Sequence, residues 1–150
     1  MSKNVELIQQ LKDMLQKLPP DVLDASGRFL YSSGETMKAG RYYLIGLNPG
    51  GSPDDYQSLR KEMANWEKCT KNAFLDEAWK NKNGCYPKGE SPHQKRVREL
   101  CRIFGVEVRD VCASNWILAR SPNAEALYNK NYLATIFITY TQNHHGNCPT

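Results

Sequence analysis

Val5, Ile8, Leu11, Leu15 and Leu18 recur at steps of three and four residues, and Leu7 and Met14 widen the stripe. That period lines one face of an amphipathic helix, which Pro19-Pro20 stops. Residues 27–40 are mixed and turn-rich, with Arg28-Phe29-Leu30-Tyr31 as a short extended piece. Arg41-Tyr42-Tyr43-Leu44-Ile45-Gly46-Leu47 is β-prone and nearly uncharged after Arg41, the pattern of a strand buried on both faces. It runs into Asn48-Pro49-Gly50-Gly51-Ser52-Pro53, after which Asp54-Asp55 open a helix through Trp66, with acidic groups at the positive end of its dipole.

Residues 67–90 read as an irregular insertion with turns at Asn83-Gly84 and Pro87. A second helix has Ser91 as N-cap, Pro92 in its first turn and Gly105 beyond its end. Val97, Leu100, Cys101 and Phe104 form its apolar face. Residues 106–112 make a second strand leading into Ala113-Ser114-Asn115-Trp116. A helix over residues 124–132 and a third strand, Thr135-Ile136-Phe137-Ile138-Thr139-Tyr140, follow. Strands alternating with helices predict an α/β fold: three layers, with a mostly parallel central sheet of three to four strands and helices on both faces. Residues 1–140 form one domain, and residues 141–150 are a polar, patternless tail. Ligands of such sheets bind beyond the carboxyl ends of the strands, so the loops at 48–53 and 114–123 are expected on one rim.

Composition narrows the class. With 40% hydrophobic and 24% charged residues the chain is an ordinary globular one. No apolar run approaches the roughly 18 residues of a bilayer span, and Met1-Ser2-Lys3-Asn4-Val5-Glu6 lacks an export signal. A cytosolic or nuclear protein with no membrane partner is expected. Its five cysteines are odd in number and contain no C-x-x-C, which leaves free thiols and removes the best support for zinc-ribbon, redox or iron–sulfur chemistry. No metal or cofactor is expected, since the adjacent His144 and His145 cannot easily face one ion. A net charge of +4 permits contact with nucleic acid without requiring it.

Two loops carry candidate chemistry. In Asn48–Pro53 the prolines fix the chain direction, and Gly50 and Gly51 let backbone approach a ligand with no Cβ in the way. Successive N–H groups there, with a following helix N-terminus, would cradle an anion. Asn48 offers both an acceptor and a donor at a strand end. The loop is neither G-x-G-x-x-G nor a Walker sequence. In the second loop Asn115 suits the edge of a base or another amide-like ligand, and Arg120 and Ser121 lie within reach of a phosphate. The basic run His93-Gln94-Lys95-Arg96-Val97-Arg98 reads as the solvated face of a helix.

Leu44-Ile45-Gly46-Leu47-Asn48-Pro49-Gly50 resembles the G-[ILM]-N-P-G motif of the mismatch-specific and single-strand-selective branches of the uracil-DNA glycosylase superfamily. Ala113-Ser114-Asn115 with Arg120-Ser121-Pro122 is similar to that family's later strand-end Asn segment. The resemblance implies a base-flipping hydrolase that cleaves the N-glycosidic bond of uracil or a related damaged base in DNA. Asn48 would hold the attacking water and Asn115 would read the flipped base. Tyr56 or Trp66 would stack on that base, with a core role favoured for either. Pro49, Gly50, Gly51 and Ser52 would line the phosphate and sugar path. The family pattern continues to a late His-Pro-Ser-type loop whose His donates to the departing uracil, whereas no His-Pro occurs here. The resemblance therefore implies a member shortened at its C-terminal end, with an exposed sheet edge open to self-association. The alternative function is an impaired or truncated form that only binds DNA or nucleotide.

Overall fold

The computed structural model describes residues 3–38, 40–50, 57–81, 84–121 and 125. The N-terminal stripe forms helix α1 (Lys3–Gln16), and Leu15 and Leu18 at its end enter the core. Pro19-Pro20 ends α1 as expected, yet Pro20 also begins a further helix, α2 (Pro20–Asp24). A proline in the first helical turn gives up an N–H that has no partner there anyway.

The extended piece at Arg28–Tyr31 is real and does structural work as an antiparallel neighbour of strand β4 (Cys112–Asn115), with bridges Leu30–Ser114 and Gly27–Ala119. On the other side β4 pairs in parallel with β1 (Tyr43–Gly46), so that Tyr43 faces Cys112 and Gly46 faces Asn115. The coarse α/β expectation holds among the described residues as helices around a small parallel sheet of two strands. The segments expected as a helix at 124–132, apart from helical residue 125, and as a third strand at 135–140 lie outside the described residues, as does the tail.

β1 corrects one expectation. It was read as buried on both faces, but Tyr43, Ile45 and Leu47 are 52%, 61% and 58% exposed. Leu44, half-buried, points the other way and packs against a core. Side chains alternate across a strand, and among the described residues only the Leu44 face has a packed cluster against it.

The second strand is also shifted. Residues 108–110 form a 3-10 turn, and β4 starts only at Cys112, so Ala113, Ser114 and Asn115 are strand rather than its exit. Successive β4 residues serve different cores. Cys112 joins Leu15, Val22, Leu23, Phe29, Leu59 and Trp66, while Ala113 joins Phe74, Val97, Cys101 and Val111. Burying each large apolar side chain in these clusters contributes about 1.5–3 kcal/mol.

Helix α3 runs from Leu59 to Asn65 behind Ser58, whereas Asp54-Asp55, expected to open the helix, lie outside the described residues. Non-helical Gln57 and Ser58 separate those aspartates from it, and Glu62 is the acid in its first turn. Residues 67–90 are more than an insertion: α4 (Ala73–Asp76) and the hairpin of β2 (Lys80–Asn81) and β3 (Gly84–Cys85) lie in it, and Ala73 and Phe74 are buried.

Helix α5 (Pro92–Ile103) matches its sequence signals closely. Ser91 Oγ accepts from Gln94 N–H and Gln94 Oε1 accepts from Ser91 N–H, a capping box. At the other end Gly105 N–H donates to the Arg102 carbonyl and Val106 N–H to the Cys101 carbonyl. That Schellman closure needs a left-handed residue, which Gly105 supplies at φ +65°. Val97 and Cys101 are buried as expected, whereas Leu100 and Phe104 of the proposed apolar face are exposed. Tyr42 and Phe104 meet with ring centroids 5.3 Å apart. Of the basic run, Lys95 and Arg96 are exposed and Lys95 and Arg98 pair with Glu90, while Gln94 and Val97 are buried.

Candidate functional site

Parallel pairing of β1 with β4 puts both carboxyl ends on one side, and the register places Gly46 opposite Asn115. The pairing continues beyond the strands: Trp116 N–H donates to the Gly46 carbonyl at 2.8 Å and Ile117 N–H to the Leu47 carbonyl at 2.9 Å. The two loops thus share one rim, as their positions after strands required.

They are also stitched together. Asn48 Nδ2 donates to the carbonyls of Pro49 (3.0 Å) and Ser121 (3.3 Å), and Ser121 N–H returns to the Pro49 carbonyl at 3.1 Å. With both amide hydrogens spent on carbonyls, Asn48 has only its Oδ1 to offer, an acceptor with no partner among the described residues. Arg120 donates through Nη1 to the Gly50 carbonyl. Arg120 and Ser121 are both buried. The sequence reading expected these two to reach a phosphate; here the hydrogen bonds described for them brace the first loop. Pro49 is fully buried under the same bracing and Gly50 is exposed. Gly51, Ser52 and Tyr56 lie outside the described residues, and the next described helix after the loop starts at Leu59.

Asn48 and Asn115 line one cavity of about 430 Å³, together with Gly46, Gly50 and a wall of aromatic rings. Tyr31 stacks on Phe74 with centroids 5.7 Å apart, Trp79 meets Tyr31 edge-on at 6.1 Å, and His93 stacks on Trp79 at 5.8 Å. None of Tyr31, Phe74, Trp79 or His93 was singled out as a ring-stacking residue from the sequence. Trp66, one of the two stacking candidates in the sequence, is core and packs against Phe29. The legible hint was Phe74 and Trp79 standing in a segment otherwise poor in large apolar residues.

Charge supports the wall from behind. Arg28 forks onto Glu77 at 2.7 and 2.6 Å, donates through Nε to the Leu30 carbonyl, and lies 4.5 Å from the Tyr31 ring centre. Trp79 Nε1 donates to the same Glu77 at 3.2 Å. Burial alone would raise the Glu77 carboxyl, but the hydrogen bonds and charge of Arg28 outweigh it and hold it below its ordinary value. Burial, then the nearby Arg96, lowers the His93 imidazole, so that it is neutral at pH 7. Burial raises Glu62, a carboxyl of helix α3, against the opposing charge of Arg28.

Among the described residues there is no cluster of three or more His, Cys, Asp or Glu side chains able to hold a metal ion, and no helix long and apolar enough to cross a membrane. Cys69, Cys85, Cys101 and Cys112 are free thiols. Fold and site together define an α/β protein with a strand-end cavity walled by aromatic rings. No family model, curated protein or solved structure matches the chain.

Proposed function

We propose that the protein is a uracil-DNA glycosylase-like hydrolase of the N-glycosidic bond of uracil or a related damaged base in DNA. The observation that carries this reading is the arrival of Asn48 and Asn115, from separate segments, at one cavity whose wall is aromatic. A flipped base needs a flat apolar slot and polar groups at one edge. Tyr31, Phe74 and Trp79 supply the first and Asn115 the second.

Asn48 is no strong base, but its acceptor oxygen is held in place by two donated hydrogen bonds. Such an oxygen orients a water against the sugar as positive charge develops there. The departing base carries away electrons, and fixed dipoles aimed at its oxygens lower the barrier. The two core clusters served by Cys112 and Ala113 support the finer reading of a three-layer domain. DNA is the proposed partner.

The test is release of free base from a uracil-containing single-stranded oligonucleotide. Wild type is expected to release uracil and Asn48→Ala is not. No release by wild type under permissive salt and pH ends the enzyme reading.

One observation favours a second reading, a binder without catalysis. The family's leaving-group His comes from a late His-Pro loop, and the sequence has none. His93 does line the cavity, but from the first turn of α5. The binder reading expects salt-dependent DNA binding with no product, and a flat titration discards it.

A further inference from the structure

We propose that the exposed side of residues 70–105, with Lys80, Lys88 and Arg96 set around the Trp79 and His93 rings, is a docking surface for a single DNA strand. The proposal rests on the base-binding reading of the cavity and names what holds the strand beside it.

Charge is distributed unevenly along the chain. Residues 70–105 carry eight of the 20 Lys and Arg but only four of the 16 Asp and Glu. The rest of the chain holds twelve of each, so the whole net charge of +4 resides in this one segment. Folding sharpens the excess, because all four of its carboxylates are taken. Asp76 pairs with Arg109, Glu77 with Arg28, Glu90 with Lys95 and Arg98, and Glu99 with Arg102. Arg28 and Arg109 come from outside the segment and neutralise two carboxylates without using its own cations. Lys71, Lys80, Lys88 and Arg96 are left exposed, with no ion pair among the described residues.

Three of these cations surround the aromatic wall. Lys80 directly follows Trp79 at the start of β2. The hairpin returns alongside: Tyr86 N–H donates to the Trp79 carbonyl at 2.8 Å and Gly89 N–H to the Glu77 carbonyl at 3.2 Å. Lys88, between them in sequence, lies abreast of residues 77–79. Arg96 stands one helical turn beyond His93 on the same face of α5. The His93 ring in turn stacks on Trp79, with centroids 5.8 Å apart and 20° between the planes.

A DNA strand alternates phosphates with flat bases, and cations interleaved with rings match that alternation. An acidic peptide brings the charge without the flat groups. Trp79 and His93 also line the cavity that holds Asn48 and Asn115. A strand laid across this surface therefore has one base at the cavity mouth while neighbouring phosphates meet the cations.

Two triple variants of equal net charge test the assignment. Lys80→Ala/Lys88→Ala/Arg96→Ala empties the surface. Lys17→Ala/Lys61→Ala/Lys68→Ala removes three exposed cations from the balanced part of the chain. Affinity for a fluorescent oligothymidylate is measured against salt; it contains no uracil, so the readout is independent of catalysis. Each phosphate contact with a single strand contributes about 0.7 to the slope of log affinity against log salt. The first variant is expected to bind about tenfold or more weakly, with a slope shallower by about 2, and the second to match wild type. Oligoglutamate of equal charge is expected to bind wild type more weakly than the oligonucleotide does. Equal losses in both variants, no loss in either, or equal binding of oligoglutamate overturns the surface, while uracil release by wild type keeps the glycosylase reading. A slope carried by the three cations in a protein that releases no uracil ends the enzyme reading and upholds the surface.

Discussion

Four side-chain amides sit at two places in this molecule, and the two pairs are used differently. At the junction of α4 and α5, Gln94 Nε2 donates to the carbonyls of Ala73 (2.7 Å) and Glu77 (2.8 Å), while its Oε1 accepts from Ser91 N–H at 3.0 Å. Beside it, Asn72 caps α4 by accepting from Phe74 N–H and donates to the Val108 carbonyl at 3.1 Å. Both are buried, with donor and acceptor alike in use. At the strand-end rim, Asn48 has its donors in use and its acceptor over, and the Nδ2 of Asn115 has no partner among the described residues. A buried amide satisfied on both sides holds backbone in place. An amide satisfied on one side, at a cavity, is available to a ligand. Polarity and burial alone do not separate the two cases; hydrogen-bond accounting does.

The contrast can be broken experimentally, and the largest effect is expected at the rim. Asn48→Ala should lower uracil release by about 10²–10³-fold, the scale of removing one fixed polar group from a reacting centre, with a much smaller change in urea unfolding. A loss of stability as large as the loss of activity would make Asn48 a structural amide like Gln94.

Gln94→Ala should do the reverse. It strands the Ala73 and Glu77 carbonyls and is expected to cost roughly 3 kcal/mol in urea unfolding, since each unsatisfied buried group costs ~1–3 kcal/mol. Uracil release per folded molecule should change little.

Next comes the ion pair behind the aromatic wall. Glu77→Gln is expected to destabilise by about 2 kcal/mol, below the ~3–5 kcal/mol of a fully buried broken pair because both partners keep some solvent contact. Glu77 has its folded pKa held down, so its contribution is present above the unfolded carboxylate value and is lost as pH falls through the folded one. His93 adds an earlier loss. Its folded pKa is also lowered, so the unfolded chain takes up protons first as pH falls below about 6.5. Acid unfolding of wild type should therefore show a weak phase that His93→Gln removes and a stronger one that Glu77→Gln removes.

The smallest effect sharpens the rim itself. In Gly46→Ala the new Cβ meets only the end of the Asn115 side chain and the nearby strand backbone. Activity should fall about tenfold as the amide is displaced, while stability moves by less than ~1 kcal/mol. An activity unchanged by Gly46→Ala would mean that the orientation of Asn115 is irrelevant to turnover.

Much of this arrangement was readable along the chain where the physics is local. The helix of residues 92–103 was legible because its cap, proline and terminal glycine act within a few residues. The first helix was legible from its period. Legibility failed where long-range packing decides. β1 looked doubly buried because Leu44, Ile45 and Leu47 are all apolar, although only the Leu44 face meets a described core. Residues 67–90 looked irregular because their value lies in partners such as Gln94 and Val108. At the site, Asn48 and Asn115 are legible as strand-end asparagines, whereas the hydrogen bonds by which Arg120 and Ser121 join the first loop are not.

By itself the sequence determined the helix boundaries that caps and prolines set, the strand that ends at the glycine-rich loop, and the placing of two asparagines toward the carboxyl ends of parallel strands. All of these follow from φ preferences, side-chain period and the geometry of parallel sheets. Tertiary structure alone decided which polar atoms remain unspent and which rings wall the cavity. Tyr31, Phe74, Trp79 and His93 come from three distant stretches of chain and meet only because the segment before β1, helix α4 with its following hairpin, and helix α5 pack on one face of β4. Hydrogen-bond satisfaction is a property of neighbours in space, and no pattern along the chain encodes it.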